Sequence, residues 1–467
     1  MKTVRRLTVI ACCMAGAVGA GAQEALSAQV SVPAEMQQAD SLPRQWDLRT
    51  CIDYALEQNI TIRRNRISAE SSEVDMENAK AALLPTVSGN ISQRVVNRPR
   101  SEANTIIDGD IITNTQSQTS YNGSYGIDAN WTLFNGLQRL NTIKQEKLST
   151  RIALLSVAES ENSIQESIAQ LYVQILYAAE AVKVNESTLE VSKAQHERGV
   201  TLFESGSISK SDLAQLEAQV SSDNYQLVSA QATLQDYKLQ LKQLLELDGA
   251  EEMNLYIPAL GDETVLLPLP EKDDVFRSAL ALRPEIESGK LNVEAADLSI
   301  KMARSGYMPT LSLSAGIGTS HTNGNSFSFS EQVKQNWNNS LGLTLSIPIF
   351  DQKQTRSSIR KAKLQKMTSQ LDLMDEQKTL YRSIENLWLN ANSAQQQYVA
   401  SVQNLKSSQA SFDLLQEQFS LGMINVVELM TGKSNLLSAQ QQLLQAKYTA
   451  ILNMQLLKFY QGEPLTL

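Results

Sequence analysis

The sequence predicts a mainly α protein with β, in which two similar halves each carry a pair of β-strands and a long antiparallel helical hairpin. Three observations predict it. The chain repeats itself with its internal distances kept: Phe134 to Gly206 is 72 residues, and Phe350 to Gly422 is again 72. Before each phenylalanine the apolar residues alternate with period 2, and after each they recur at steps of three and four. Residues 137–198 and 352–421 hold no glycine or proline, so each run fits a helix on the order of 90–105 Å long. Such a repeat argues for one architecture of two halves, where a length of 467 residues alone would suggest two or three domains.

The N-terminus reads as a secretory signal over residues 1–22. Lys2, Arg5 and Arg6 supply the positive region, residues 7–18 are apolar but too short to span a bilayer, and Ala20-Gly21-Ala22 is a small-residue cleavage site. Residues 9–12 (VIAC) also resemble a lipoprotein cleavage box at Cys12, though the apolar stretch before it is unusually short. Cleavage after Ala22 leaves Cys51 as the single cysteine, which excludes an intrachain disulfide. No later segment has an apolar run long enough for a membrane helix. The net charge of −9 becomes −12 once the signal's three positive charges are removed, which disfavours nucleic acid as a partner. Aromatics at 6% suit long helices better than a compact enzyme core.

Residues 23–45 are polar and contain Pro33 and Pro43, so the 23–84 segment begins as a flexible leader. Order begins at Trp46-Asp47-Leu48, and the helical spacing of Ile52, Ala55, Leu56 and Ile60 predicts one helix over 51–84. Leu84-Pro85-Thr86 opens the first strand pair, residues 85–134. There Val87, Gly89, Ile91 and Val95 alternate with polar residues, and Tyr121, Tyr125, Ile127, Trp131 and Leu133 do so again after a polar loop containing Asp108-Gly109-Asp110. Residues 135–249 form the first helical hairpin, with its tip at 204–209. Residues 250–275, with Pro258, Pro268 and Pro270, link the halves, and 276–308 repeat the first helix. Met308-Pro309-Thr310 opens the second strand pair, residues 309–350, and 351–467 form the second helical hairpin with its tip at 421–425. Early landmarks recur at an offset of 224 and later ones at 216, which places eight extra residues in the loop of the first strand pair.

Four alternating strands leave two free edges, and unpaired backbone groups cost several kcal/mol each in lipid. The sheet therefore either caps a soluble sandwich or is completed by other chains. Two features favour completion. Tyr121, Tyr125, Trp131 and Trp337 on the apolar face fit an aromatic girdle, and alternation over about ten residues fits a tilted transmembrane strand.

These residues resemble the TolC-like outer-membrane efflux proteins. The resemblance covers nearly the whole mature chain. It rests on the segment from Trp46-Asp47-Leu48 to Asn59, both Pro-Thr strand openings, residues 131–136 (WTLFNG) with their partner 347–351 (IPIFD), and both tip motifs, all in order. It implies a homotrimer whose twelve strands close one transmembrane barrel, with the helical hairpins forming a periplasmic tunnel below it. Residues 51–84 would stack on 207–248, and 285–306 on 424–460. The implied function is that of a passive exit duct for small molecules and drugs, lodged in the outer membrane and reaching into the periplasm. A periplasmic adaptor (membrane fusion protein) and an inner-membrane pump of RND or ABC type would be its partners. The alternatives are an exit duct for secreted polypeptide and, in another class, a soluble periplasmic coiled-coil scaffold.

Catalysis and cofactors find no support. His196 and His321 lie in unrelated contexts, and no His-based metal site can be argued. Gly432-Lys433-Ser434 looks like the end of a phosphate loop, but Val427 stands where its first glycine belongs. The tips are the better candidates. The resemblance makes Gly206, Ser207, Gly422 and Met423 the turns that meet the adaptor. Asp212 and Glu428 each follow an N-cap residue by three positions, so each is either a helix cap or part of a carboxylate ring at the mouth. Phe419 and Ile424 occupy positions where some members close the mouth with tyrosine and arginine. Opening is therefore expected to depend on salt less than in a charge-locked mouth.

Overall fold

The computed structural model describes residues 45–107, 110–248, 253–258, 261–323 and 327–466. The expected signal over 1–22, its Cys12, and the leader up to residue 44 lie outside the described residues. In chain order the elements are α1 (Leu48–Gln58), α2 (Ile60–Ala81), β1 (Thr86–Ile107), β2 (Asp110–Asn135), α3 (Gln138–Glu204), α4 (Lys210–Leu244), α5 (Asp262–Val265), α6 (Lys272–Leu282), α7 (Pro284–Ser305), β3 (Thr310–Thr322), α8 (Phe329–Gln335), β4 (Asn338–Ser346), α9 (Gln354–Ser420) and α10 (Val426–Tyr460). Among the described residues no helix is long and apolar enough to cross a membrane.

The helical repeat is kept to the residue. Both α3 and α9 have 67 residues, and both α4 and α10 have 35, all at the offset of 216. Even the strained residues before the long helices correspond: Gly136 and Leu137 have φ of 65° and 67°, Gln352 and Lys353 of 53° and 66°. Of these, α3 and α10 bury residues on more than one face because each packs against several other helices.

The single helix expected over 51–84 is broken at Asn59. Its backbone turns extended, and its side-chain oxygen accepts from the Thr61 and Ile62 N–H groups, so one residue ends α1 and starts α2. The helix expected over 276–308 breaks 224 residues later, at Arg283, where Pro284 takes the first position of α7. Each break meets the end of a returning helix. Asn59 Nδ2 donates to the Leu244 carbonyl at 3.0 Å, and the Arg283 guanidinium lies 3.7 Å from the Tyr460 ring centroid. A core of Trp46, Cys51, Tyr172, Leu241 and Tyr448 fills the level of the first junction. Trp46 anchors it by exchanging backbone bonds with Asn254 and Tyr256.

The four strands form one antiparallel sheet in the order β1-β2-β3-β4, with β2 and β3 joining the halves from Asn122↔Thr322 to Asn135↔Thr310. The eight extra residues do not lie in a loop as expected. They lengthen β1 and β2 to 22 and 26 residues, which pair out to Ile107↔Asp110 around Asp108-Gly109. Pro99 sits at the register shift between Arg98 and Ser101, where a missing N–H costs no ladder bond. The second pair is shorter, and its connection contains α8, started by a Ser328–Glu331 capping box and held by Thr319 Oγ1 donating to the Val333 carbonyl at 2.7 Å.

Candidate functional site

Each long helix ends in the same turn. Gly206 and Gly422 have φ of 76° and 72°, and Ser207 N donates back to Leu202 O at 2.8 Å as Met423 N does to Gln418 O at 2.9 Å. A Cβ at either glycine would meet nothing within 4 Å, so backbone conformation and not space demands glycine. Ser207 and Met423 beside them are exposed, Met423 by 70%.

The two tip acids are placed differently. Asp212 closes a capping box: its N–H donates to Ser209 Oγ at 3.2 Å, and its Oδ2 accepts from both the Ser209 N–H and the Ser209 hydroxyl. Glu428 receives only Asn425 Nδ2, at 3.2 Å, and lies exposed along a shallow groove with Ser408, Ser411 and Thr431. Phe419, expected at the mouth, is 3% exposed. It shares a helix face with Phe412, seven residues earlier, and both pack against Leu216, Val426 and Leu429 from the other helices. Phe419 is thus a core residue joining the two hairpins rather than a lining residue, and Ile424 packs at the edge of the same core.

Sequence reasoning missed a buried polar cluster above this core. Ser192 on α3, Asp223 on α4 and Lys433 on α10 bond one another, with Lys433 Nζ donating to both partners and the Ser192 hydroxyl donating to Asp223 Oδ2. Gln219 Nε2 takes the other carboxylate oxygen at 2.9 Å. Burial pushes the Lys433 ammonium below its ordinary value, against the pull of Asp223. The signal was in the sequence: Leu429, Lys433 and Leu436 lie on one helical stripe, so a cation stands where an apolar residue belongs.

At the other end the sheet separates two faces. Val87, Ile91, Ile127, Trp131, Leu341 and Leu343 lie exposed on the apolar side. Trp131 is near the tunnel end of β2, its Nε1 donating to Leu83 O at 2.7 Å. Tyr121 stands ten residues further along, roughly 33 Å of strand, and Tyr125 stacks on His321 at that end. Trp337, expected on a strand face, stands one residue before β4 at the same end and donates to Asn339 Oδ1 at 3.1 Å. The opposite face carries Ser88, Asn90, Ser124, Ser314 and Ser340, with Asp128 among them accepting from Asn90 at 2.9 Å. Among the described residues no group of His, Cys, Asp and Glu is placed to hold a metal ion.

The family model for the outer membrane efflux protein matches residues 51–246 and again 275–463, one match for each half. The chain belongs to this family. The efflux protein is 23% identical over 371 residues to outer membrane protein TolC of Salmonella enteritidis, covering 72% of this chain and 73% of TolC. It is 24% identical over 412 residues to the solvent efflux pump outer membrane protein SrpC of Pseudomonas putida, covering 84% and 80%. Its fold matches that of CusC, whose crystal structures concern transmembrane channel formation, with a TM-score of 0.74 at 19% identity over 89% of this chain and 91% of that one. The efflux protein is accordingly an outer-membrane exit duct and not an enzyme. Its sheet is the barrel part and its helices the tunnel part.

Proposed function

We propose that three copies of the efflux protein form one passive duct, the outer-membrane channel of a tripartite system that expels small molecules. Twelve strands would close the barrel, and six hairpin tips would form the periplasmic mouth. The observation that carries this reading is the open sheet. One chain leaves β1 and β4 as edges and exposes an apolar face up to Ile349, 96% exposed, and Phe350. Closure with further copies pairs the edges, and lipid covers the face. The other face would line a lumen of Ser, Asn, Gly and Thr, which offers water-like contacts and no pocket, as suits a duct for varied solutes.

The tips supply the docking points for an adaptor. Gly206, Ser207, Gly422 and Met423 form two exposed turns of the same geometry, so an adaptor helix would meet six similar sites. An inner-membrane pump of RND or ABC type supplies the energy in this scheme. The test is purification from outer membranes, unheated gel mobility and planar-bilayer conductance. A heat-dissociable trimer with discrete conductance steps is expected, and a detergent-independent soluble monomer would refute the reading.

A further inference from the structure

The Ser192–Asp223–Lys433 cluster ties the two hairpins of one chain together. The three residues are 2%, 4% and 5% exposed, so the ion pair is shielded from solvent and salt. A second tie lies nearer the tip, where Arg198 Nη2 on α3 donates to the Ser420 carbonyl at the end of α9 at 3.2 Å. Between the two ties lies the apolar core of Phe412, Phe419, Val426 and Leu429.

The internal repeat permits a comparison. In a ring of alternating hairpins, the seam inside a chain and the seam between chains are related by the offset of 216. Lys433 corresponds to Glu217, Asp223 to Ala439 and Ser192 to Ser408. Arg198 corresponds to Leu414. At the seam between chains an acid and an alanine thus stand where the seam inside a chain has its Lys–Asp pair, and a leucine replaces the arginine donor. The residues of neither tie recur at the corresponding positions, although the helices themselves repeat to the residue.

We infer that Lys433 is a positioning residue of the mouth, which through Asp223 and Ser192 makes the two hairpins of each chain one body, so that the mouth opens at the seams between chains. The inference rests on the trimeric duct. Removing one partner of a buried pair leaves a charge without compensation, so this seam resists separation, whereas the positions that correspond at the other seam lack the residues for such a pair. An opener, in this scheme, has to separate three chain-sized blocks and need not bend each chain apart.

The experiment compares clamps at the two seams in planar bilayers. One variant carries Arg198→Cys with Ser420→Cys, within a chain, and the other carries the corresponding Leu414→Cys with Glu204→Cys, between chains. Cys51 is buried and gives little background. Bismaleimide treatment is expected to leave potassium conductance of the first variant unchanged and to hold the second in its lowest conductance state. Equal blocking by the first clamp would overturn the inference. A second measurement breaks the buried pair by Lys433→Met alone, and separately exchanges it by Lys433→Asp with Asp223→Lys. The broken pair is expected to raise time-averaged conductance about tenfold by freeing the inner seam, and the exchange to restore the parent value. Parent-like conductance of the broken pair would also overturn it. If the parent itself forms no conducting trimer, the duct reading falls first, and the two failures are thereby told apart.

Discussion

Leu216 lies directly over Gly199, and its Cδ1 fills the place that a Cβ at position 199 would need. In the second hairpin the roles are exchanged: Leu415 lies over Gly432. Positions 199 and 415 correspond, as do 216 and 432, so both hairpins close on one Gly–Leu pair with the large residue on opposite helices. What the repeat preserves here is the summed volume across the hairpin.

Transposing the first pair tests this. Gly199→Leu alone overpacks the hairpin and is expected to cost about 3 kcal/mol. Gly199→Leu with Leu216→Gly copies the second hairpin and should recover most of that cost, because one glycine and one leucine still face each other and the glycine propensity penalty cancels. Thermal melting of the protein reads both, and a double variant no better than the single one refutes volume compensation.

Gly206→Ala and Gly422→Ala are each expected to destabilise the tip by about 1–2 kcal/mol, because both backbones are left-handed while the space around them is open. Asparagine, which tolerates that conformation, should cost less at either place. Hydrogen exchange at residues 200–212 and 416–428 measures the loosening. Equal protection in the alanine and parent proteins would show that the turns have another way to close.

The two tip acids should separate in function. Asp212→Asn removes a capping-box acceptor and is expected to cost about 1 kcal/mol with little change in ion preference. Glu428→Gln leaves the Asn425 cap in place, since the cap uses the Glu428 N–H, and should shift the reversal potential in a salt gradient away from cations. The opposite assignment is what a reversal-potential measurement on both variants would have to show to defeat this. Conductance should also rise with salt only as the bulk does, because the ion pair joining the hairpins is buried.

Arg283→Ala should destabilise the protein most at neutral pH. Burial pushes Glu166 above its ordinary 4.5, even though Arg283 donates to it at 2.8 Å. A raised carboxyl holds its proton in the folded state after the unfolded chain has released it. Its contribution is therefore full below about 4.5 and is lost as pH rises through the folded value. Without Arg283 that loss deepens, so the deficit is expected near 3 kcal/mol at pH 7 and clearly smaller at pH 5. Melting curves across pH check it, and a pH-independent deficit would assign the loss to the Tyr460 stack instead.

Reading the sequence identified the helical hairpins and their tips for a simple reason. Long runs without glycine or proline admit little but helix, and Gly206 and Gly422 mark the points where left-handed backbone is needed. The breaks at Asn59 and Arg283 were harder to see. A capping side chain inside an apolar-periodic run gives no interruption of period, although Pro284 was a cue. Only the outer part of the β1–β2 ribbon reads as a loop in the sequence, because it alternates without a strong apolar face.

The sequence by itself determined the two-fold repeat, the helix and strand periods and the outward apolar face, because these depend on spacing along the chain. Only the tertiary structure decided which side chains meet across helices far apart in sequence. Phe419 turned inward to the core rather than toward the mouth, and Lys433, 241 residues from Ser192 and 210 from Asp223, became the buried partner of both. A burial site is shared by several helices, so no single stretch of sequence can specify whether a residue there faces water, lipid or a counter-ion.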